Sequence, residues 1–241
     1  MNKKPTIFTV VSPALLHLYD LNNSVVVIID VFRATSTIAT ALYNGAKKVI
    51  PVSAVDECIR IGNQLKGSVT AGERDGKVIE GLQYGNSPTE YSEEFIRNKT
   101  LVITTTNGTR LLHMALQNGA AEVVTGSFVN LSAVCNYLVG QKKNIILGCS
   151  AWKDRFNLED TLFAGAVLNN IKDHFTVHCD ASLMAQSMYL AHQYDLYAFV
   201  KLTTHYHRLA AYGLEADLEY CVTADVANVL PYYNGDSLIA G

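Results

Sequence analysis

Charged and hydroxyl side chains recur at the points where the predicted strands of this chain would end. The first group, Asp30, Arg33, Thr35 and Ser36, directly follows the apolar run 25–29. The other positions of this kind are Glu73, Arg74, Asn86, Ser87, Thr106, Asn107, Gly108, Thr109, Arg110, Ser127, Asn130, Ser150, Lys153, Arg155, Glu159 and Asp160. Mg²⁺ binds through one or two carboxylates, and arginine binds phosphate or sulfonate through two parallel hydrogen bonds. The set therefore indicates a doubly anionic substrate together with a hard cation.

Two segments of the chain, residues 24–56 and 98–130, align with each other at a constant offset of 74 positions. Thr35 aligns with Thr109, and the tripeptide 44–46, Asn-Gly-Ala, aligns with the same tripeptide at 118–120. Gly45 and Gly119 stand where a helix would stop in the left-handed conformation. Because the alignment includes the helix stop and the threonine as well as the apolar positions, it predicts a duplicated βαβ unit.

Each copy turns from a strand into a helix through a polar loop. Free backbone N–H groups and the positive end of the helix dipole make such a helix start a site for phosphate, sulfate or carboxylate. Thr35 and Thr109 can also serve as simple helix caps, which is the usual role of threonine at this position. Arg33 stands beside one cap and Arg110 beside the other, which favours anion binding at both helix starts.

Several of the acidic positions have a structural explanation as well as a chemical one. Glu159 and Asp160 begin a predicted helix, where the dipole favours acidic residues. The segment 72–76 has flanking glycines and reads equally well as a solvated turn. Asp30 is harder to explain structurally, because a carboxylate at the end of a fully apolar strand usually has a partner or a cation.

Strands and helices alternate along residues 6–171, which predicts right-handed βαβ crossovers. The predicted fold is α/β, a three-layer α/β/α architecture with a mostly parallel sheet built from two duplicated βαβ halves. We expect one domain over residues 1–241, with the repeats at about 24–90 and 98–172. Residues 173–241 are rich in tyrosine and are predicted to be helices packed on the sheet, with a face that could form a homodimer. In such sheets ligands bind beyond the carboxyl ends of the strands.

Composition excludes several classes of protein. The 241-residue chain has a net charge of −3 and no long basic run, so nucleic acid is not an expected partner. Its apolar runs are too short to cross a bilayer, and Pro13 interrupts the apolar stretch near the start, which argues against a signal peptide. The five cysteines share no CxxC spacing and indicate neither a disulfide framework nor a zinc site. We therefore expect a cytoplasmic protein without membrane contact.

Five ordered segments resemble the 2-phosphosulfolactate phosphatases, which are Mg²⁺-dependent enzymes of the coenzyme M pathway. The segments are VVVIIDVFRATSTIATAL, AGERDGKVIEGLQYGNSPTEY, TTTNGTRLL, GSFVNLSAV and FNLEDTLFAGA, which together run from residue 25 to residue 166. The resemblance implies hydrolysis of (2R)-phosphosulfolactate to sulfolactate and phosphate. It would also account for two anion-binding helix starts, one for a phosphate and one for a sulfonate.

The resemblance also implies roles for particular residues. Mg²⁺ would be bound by Asp30 with one or more of Glu73, Glu159 and Asp160. Arg33, Thr35 and Ser36 would hold the phosphoryl group with their side chains and amides. The sulfonate or carboxylate would face Asn107, Thr109 and Arg110. The remaining substrate-binding candidates are Glu73, Arg74, Asn86, Ser87, Gly108 and Ser127.

Two alternatives remain open at this stage. The protein could hydrolyse another small phosphorylated acid, or it could bind organic anions without catalysis. The route of phosphoryl transfer is open too. Phe32 stands where phosphatases that form a phosphoaspartate have their second aspartate, which weakens the covalent route through Asp30.

Overall fold

The chain forms the alternating strands and helices that its periodicity predicts. The computed structural model describes residues 4–74 and 76–241. Within these ranges the strands are β1 (Thr6–Val10), β2 (Ser24–Ile29), β3 (Lys48–Val52), β4 (Ser68–Arg74), β5 (Lys77–Val78), β6 (Thr100–Thr104), β7 (Glu122–Gly126), β8 (Asn144–Cys149), β9 (Thr176–Val177), β10 (Pro231–Tyr233) and β11 (Leu238–Ala240). The α-helices are α1 (Ala34–Tyr43), α2 (Val55–Gln64), α3 (Glu93–Ile96), α4 (Gly108–Gln117), α5 (Leu131–Val139), α6 (Leu158–Ile171), α7 (Asp180–His192), α8 (Leu196–Val200), α9 (Thr204–Ala210) and α10 (Glu215–Cys221).

The strands pair into one sheet in the order β5-β4-β6-β3-β11-β10-β7-β2-β8-β1-β9. One parallel group consists of β4, β6 and β3, and the other of β7, β2, β8, β1 and β9. The antiparallel hairpin of β10 and β11 joins the two groups by pairing with β7 and with β3. Helices flank this sheet. The predicted α/β class with a mostly parallel sheet is confirmed.

The strand β2 lies inside the larger parallel group, between β7 and β8. All six of its residues are buried, as expected for an apolar run without polar alternation. Its odd-numbered side chains pack with α5 and α6, whereas Val26 and Ile28 pack with residues of α1 and α4. The second of these clusters also takes residues from the other parallel group, so it holds the two groups and the two helices together.

The two sequence repeats have matching elements in the structure. At an offset of 74, α1 superposes on α4 and β3 superposes on β7, residue for residue in their bounds. Both helices end before a glycine in the left-handed conformation, Gly45 with φ of 88° and Gly119 with φ of 78°. The shared bounds agree with the alignment, and the common origin of the two units stays a prediction.

The segment 173–241 differs in part from its predicted helical structure. It contains α7 to α10, but it also contains the edge strand β9 and the hairpin of β10 and β11. These strands have only two or three residues, so they are too short to show a two-residue periodicity in the sequence. Among the described residues, no helix is long and apolar enough to cross a membrane.

Candidate active site

A cavity of about 240 Å³ lies at the carboxyl ends of strands from both parallel groups. The described residues that line it are Asp30, Phe32, Arg33, Glu73, Arg74, Gly76, Asn86, Thr105, Thr106, Asn107, Trp152, Lys153, His205, Arg208 and Leu209. They come from the end of β4, from the loops after β2, β4, β5, β6 and β8, and from α9. Ligands of α/β sheets bind at this edge of the sheet. This described lining includes four basic side chains and two carboxylates, a composition suited to an anionic ligand and a cation.

Asp30 lies where the starts of α1 and α4 meet. A Cβ atom placed on Gly108 would lie 2.8 Å from Asp30 Oδ2 and 3.0 Å from the Cβ of Ala34. Such distances are far below normal contact, so only glycine lets the two helix starts come this close. The structure therefore gives Gly108 a packing role against Asp30, which sequence reasoning had treated as part of a substrate-binding loop.

Burial raises the pKa of Asp30 from its ordinary value of 3.8 to about 6. The nearby His205 lowers this pKa, whereas Glu73 and Glu159 raise it further. The Asp30 carboxylate is thus ionised at neutral pH while it is almost fully removed from solvent. A buried and perturbed carboxyl group in a cavity is a candidate for a functional role.

The hydroxyl groups of Thr35 and Thr109 hold their own loops closed. Thr35 Oγ1 lies 2.9 Å from both the Asp30 and the Gly126 carbonyl oxygens and accepts from the Asp30 N–H. Thr109 Oγ1 donates to the Thr105 carbonyl oxygen at 2.8 Å. Ser36 Oγ likewise donates to a backbone carbonyl, that of Val31, at 2.9 Å. These side chains shape the helix starts, and a bound anion there would meet backbone N–H groups and arginine.

Arg33 is fixed by a buried ion pair with Asp217 of α10. Arg33 Nη1 lies 2.5 Å from Asp217 Oδ2, and both side chains are almost fully buried. The other oxygen, Oδ1, accepts from Ser87 Oγ at 2.7 Å and from Thr89 Oγ1 at 3.0 Å. Asp217 therefore ties the C-terminal segment and the loop before residue 88 to the guanidinium group that lines the cavity. Ser87, which was predicted to bind the substrate, therefore helps to position Arg33 by donating a hydrogen bond to Asp217.

Asp160 joins the loops after β2 and β8. Its Oδ1 accepts from the Val31 N–H at 2.9 Å, and its Oδ2 accepts from the Ala151 N–H and from Ser150 Oγ, each at 3.3 Å. Burial, with the charges of Glu159 and Asp30, raises the pKa of Asp160 well above its usual range, and the two backbone N–H groups oppose this. Both oxygens of the Asp160 carboxylate therefore already accept hydrogen bonds from the protein.

Glu159 pairs with a histidine that sequence reasoning did not select. Glu159 Oε1 lies 2.5 Å from His205 Nδ1, and Asn157 Nδ2 lies 3.3 Å from the same ring nitrogen. The ring also stands edge-on to Phe32, with centroids 5.8 Å apart. Glu159 is fully buried, and its Oε2 has no hydrogen-bond partner among the described residues. The pair places a polar ring at the cavity wall beside Asp30.

Four other predicted site residues line the cavity, namely Glu73, Arg74, Asn86 and Asn107. Glu73 Oε2 accepts from the Gly76 N–H at 2.9 Å, and Arg74 Nη1 donates to the Glu73 carbonyl oxygen at 2.8 Å. Asn86 is buried, and its Oδ1 has no hydrogen-bond partner among the described residues. A buried polar atom without a partner at a cavity wall is expected to meet a ligand or an ordered water.

Nine of the residues predicted to form the site are not part of the described cavity lining, and Arg110 and Ser127 are two of them. Arg110 is exposed and forms a two-pronged ion pair with Asp154, with distances of 3.0 and 3.2 Å. The Ser127 N–H donates to Asn130 Oδ1 at 2.9 Å where the short helix at 128–130 begins. Both residues therefore stabilise loops near the site.

The residues that sequence reasoning missed come mainly from the C-terminal segment. His205, Arg208 and Leu209 lie on α9, and Asp217 lies on α10. Their position depends on how the last helices pack against the sheet, which no local pattern shows. Trp152 could have been selected from the sequence, because it is the single tryptophan of the chain and lies three residues after the end of β8.

The fit of a metal ion can be judged from the oxygen atoms present. Among residues 4–74 and 76–241, no three His, Cys, Asp or Glu side chains are arranged to hold a metal ion on their own. Mg²⁺ needs no such cluster, because it keeps several waters and binds through one or two carboxylates and substrate phosphate oxygens. Asp30 and Glu73 line the cavity, and Glu159 Oε2 is a buried oxygen without a partner. These residues fit a hard cation.

Comparison with known proteins shows the family to which the chain belongs. The family model described as 2-phosphosulpholactate phosphatase matches residues 10–236. A probable 2-phosphosulfolactate phosphatase of Caldanaerobacter subterraneus is 38% identical over 215 residues, 88% of each chain. Its counterpart in Clostridium acetobutylicum is 36% identical over 222 residues, 90% of this chain and 93% of the relative. That of Thermotoga maritima is 40% identical over 205 residues, 85% and 87% of the two chains. The chain therefore belongs to the 2-phosphosulfolactate phosphatase family and is a phosphoric monoester hydrolase.

Proposed function

We propose that the protein hydrolyses (2R)-phosphosulfolactate to sulfolactate and phosphate in a reaction that requires Mg²⁺. The observation that carries the proposal is the described cavity lining, which contains four basic side chains and two carboxylates. The substrate carries a phosphoryl group, a carboxylate and a sulfonate on three carbons, and its size suits a cavity of about 240 Å³. The relatives described above are named as probable phosphatases of the same substrate.

The phosphoryl group would bind at the start of α1. Arg33 reaches the cavity there, and Asp217 fixes one of its terminal nitrogens and thereby orients the planar guanidinium group. An oriented guanidinium offers further N–H donors in a fixed geometry that matches a phosphoryl group. The backbone N–H groups and the dipole of the helix start add to the attraction.

The Asp30 carboxylate, with Glu73, would hold the Mg²⁺, and Glu159 Oε2 is the next available oxygen. When bound, the ion would neutralise charge on the phosphoryl oxygens, which is the main requirement of phosphoryl transfer. Asp30 suits this role because its pKa of about 6 leaves it ionised at neutral pH. Closely packed loops and the buried wall around Asp30 limit water at the reacting end.

A cytoplasmic location is part of the proposal. All five cysteines are free thiols, and four of them are buried. Proteins of oxidising compartments usually pair their cysteines, so unpaired thiols favour a reducing compartment.

The test is phosphate release from a panel of phosphorylated three-carbon acids by the purified protein. The panel contains phosphosulfolactate, 2-phospholactate and the two phosphoglycerates, each measured with Mg²⁺ and after exhaustive chelation. We expect the highest kcat/KM on phosphosulfolactate, loss of turnover on chelation and recovery when Mg²⁺ returns. Preference for another member of the panel would reassign the substrate. Undiminished turnover after chelation would remove the metal from the proposal.

A further inference from the structure

The side chain of Asn86 is a buried amide at the wall of the cavity. Only 4% of the residue is exposed, and its Oδ1 has no hydrogen-bond partner among residues 4–74 and 76–241. Asn86 belongs to the described lining of the cavity. A buried acceptor without a donor lowers stability, so Oδ1 is expected to be satisfied by a group that enters the cavity.

The backbone around Asn86 is fixed by hydrogen bonds with three side chains. The Tyr91 hydroxyl donates to the Gly85 carbonyl oxygen at 2.7 Å, and Glu90 Oε2 accepts from the Gly85 N–H at 3.2 Å. Thr37 Oγ1, near the start of α1, donates to the Asn86 carbonyl oxygen at 3.1 Å. The loop therefore holds the Asn86 backbone against α1, and the free amide oxygen belongs to a well-fixed residue.

Asn86 is also the neighbour of a residue that positions Arg33. Ser87 Oγ donates to Asp217 Oδ1 at 2.7 Å, and Asp217 Oδ2 lies 2.5 Å from Arg33 Nη1. Arg33 and Asn86 both line the cavity. Asn86 is thus placed beside the start of α1, where the phosphoryl group is proposed to bind.

The chemistry of the substrate restricts what Oδ1 can meet. Above about pH 7 the phosphoryl, carboxylate and sulfonate groups are ionised, so they offer acceptors and almost no donors. An amide oxygen is itself an acceptor and cannot bind any of them. A water molecule carries two O–H donors and suits this position.

A cation is the other partner that an amide oxygen accepts. Mg²⁺ usually takes one or two carboxylates from the protein and keeps several waters. The described lining already offers it the carboxylates of Asp30 and Glu73. The amide oxygen of Asn86 is therefore left for a water.

We infer that Asn86 is a catalytic residue whose Oδ1 accepts a hydrogen bond from the water that attacks phosphorus and so orients that water. The inference rests on the proposed function. The water oxygen forms the new bond to phosphorus, and the ester P–O bond breaks with its electron pair left on the sulfolactate oxygen. One water proton stays on the released phosphate, and the other ends on the sulfolactate hydroxyl group. The amide itself is unchanged, as is usual where a side-chain amide orients the attacking water in phosphoryl transfer.

The first test is the kinetics of Asn86→Ala on phosphosulfolactate. We expect kcat to fall about tenfold to a hundredfold, because a poorly oriented nucleophile slows the chemical step. KM and the inhibition constant of inorganic phosphate should stay within about twofold of the wild type, since the amide oxygen does not touch the anion. Calorimetry with Mn²⁺ as the probe should give the same affinity for both proteins. An unchanged kcat with a raised phosphate inhibition constant, or weaker binding of Mn²⁺, would overturn the inference.

The second test measures transfer of the phosphoryl group to methanol in competition with water. Water can donate to Oδ1 and to a second acceptor at once, whereas methanol has a single O–H group. In Asn86→Ala the ratio of methyl phosphate to phosphate should rise about twofold to tenfold, the range of one neutral hydrogen bond. Asn86→Asp keeps an acceptor oxygen in the same place, so its ratio should stay near that of the wild type. An unchanged ratio in Asn86→Ala would show that Asn86 does not orient the water.

The matched control for stability is Asn130→Ala, because Asn130 is also buried but both ends of its amide have partners. Its Nδ2 donates to the Val229 carbonyl oxygen at 2.9 Å, and its Oδ1 accepts from the Ser127 N–H at 2.9 Å. Asn130→Ala should lower Tm clearly more than Asn86→Ala, because the Oδ1 of Asn86 has no partner to lose. An equal fall in Tm would make Asn86 a structural residue.

The substrate panel separates this inference from the proposed function. Faster hydrolysis of another member than of phosphosulfolactate would overturn the proposed substrate, and the tests of Asn86 would then use that member. Hydrolysis of phosphosulfolactate with the same methanol ratio in Asn86→Ala and the wild type would overturn this inference alone. Absence of phosphate release from every member would overturn both.

Discussion

Replacement of Asp30 by asparagine should abolish activity and, in the metal-free protein, raise stability at pH 8. The activity should be lost because Asp30 is the carboxylate at the helix starts that we assign to the cation. The stability should rise because the wild-type protein keeps an ionised carboxylate in a buried position, where burial raises its pKa to about 6. Asparagine has nearly the same shape and carries no charge.

The sign and the size of the effect follow from the pKa. A carboxyl group whose pKa is raised on folding binds its proton more tightly in the folded than in the unfolded chain. Its contribution to stability is therefore lost as the pH rises from 3.8 to about 6. Each pKa unit corresponds to about 1.36 kcal/mol, so the loss above pH 6 is up to about 3 kcal/mol. Asp30→Asn avoids this loss, and at about 2–4 °C per kcal/mol its Tm should rise by roughly 6–12 °C at pH 8.

The assay is thermal and urea unfolding of both proteins in chelator at pH 8 and near pH 4. The free energy of unfolding of Asp30→Asn should exceed that of the wild type most at pH 8, and the difference should disappear near pH 4. Asp225→Asn is the control, because Asp225 accepts from the Ser132 N–H at 2.7 Å and from Ser132 Oγ at 2.5 Å, where α5 begins. We expect that variant to be destabilised by about 1 kcal/mol at pH 8. If Asp30→Asn is less stable than the wild type at pH 8, or keeps normal turnover, Asp30 is a structural carboxylate and the reasoning fails.

Three further substitutions test the helix starts and their supports. Arg33→Lys keeps the charge but loses the planar fork, so kcat/KM should fall about tenfold to a hundredfold, and kinetics within twofold of the wild type would remove Arg33 from the site. Gly108→Ala would place a methyl group 2.8 Å from Asp30 Oδ2, so kcat should fall at least about tenfold while circular dichroism stays unchanged. Normal turnover of this variant would show that Asp30 need not keep its position. Asp217→Asn leaves the buried Arg33 without its counter-charge, so unfolding free energy should fall by about 3 kcal/mol and KM should rise, whereas an unchanged KM would limit Asp217 to stability.

The elements that depend on local signals were predictable from the sequence. The helices α1 and α4 each carry a threonine at their second residue and end before a left-handed glycine, and both occupy the predicted place. The apolar run of β2 indicated a strand buried on both faces, and the structure places it between two parallel neighbours. Asp30 was recognisable for the same reason, since a carboxylate at the end of such a strand has few structural explanations.

The contacts that complete the site were not predictable, because they join distant parts of the chain. Arg33 meets Asp217 across 184 positions, and Glu159 meets His205 across 46. Helices α9 and α10 have seven residues each, and their packing direction has no local signature. The sequence also could not show that the Thr35 hydroxyl turns to backbone carbonyls, because a cap and an anion ligand use the same residue type.

The buried acidic side chains of the site differ in how many hydrogen-bond donors and positive side chains the protein places against them. This difference ranks them as candidate ligands of a cation. Asp160 receives two backbone N–H groups and a hydroxyl, and Asp217 receives a guanidinium and two hydroxyls. Glu159 has a partner for one oxygen only. The Ser150 hydroxyl also lowers the pKa of Asp30, but it has a single proton and cannot donate to Asp30 and Asp160 at once. A cation stabilises a buried carboxylate most where the protein provides the fewest hydrogen-bond donors and positive charges to it. By this criterion Asp30 is the strongest candidate ligand and Asp160 the weakest.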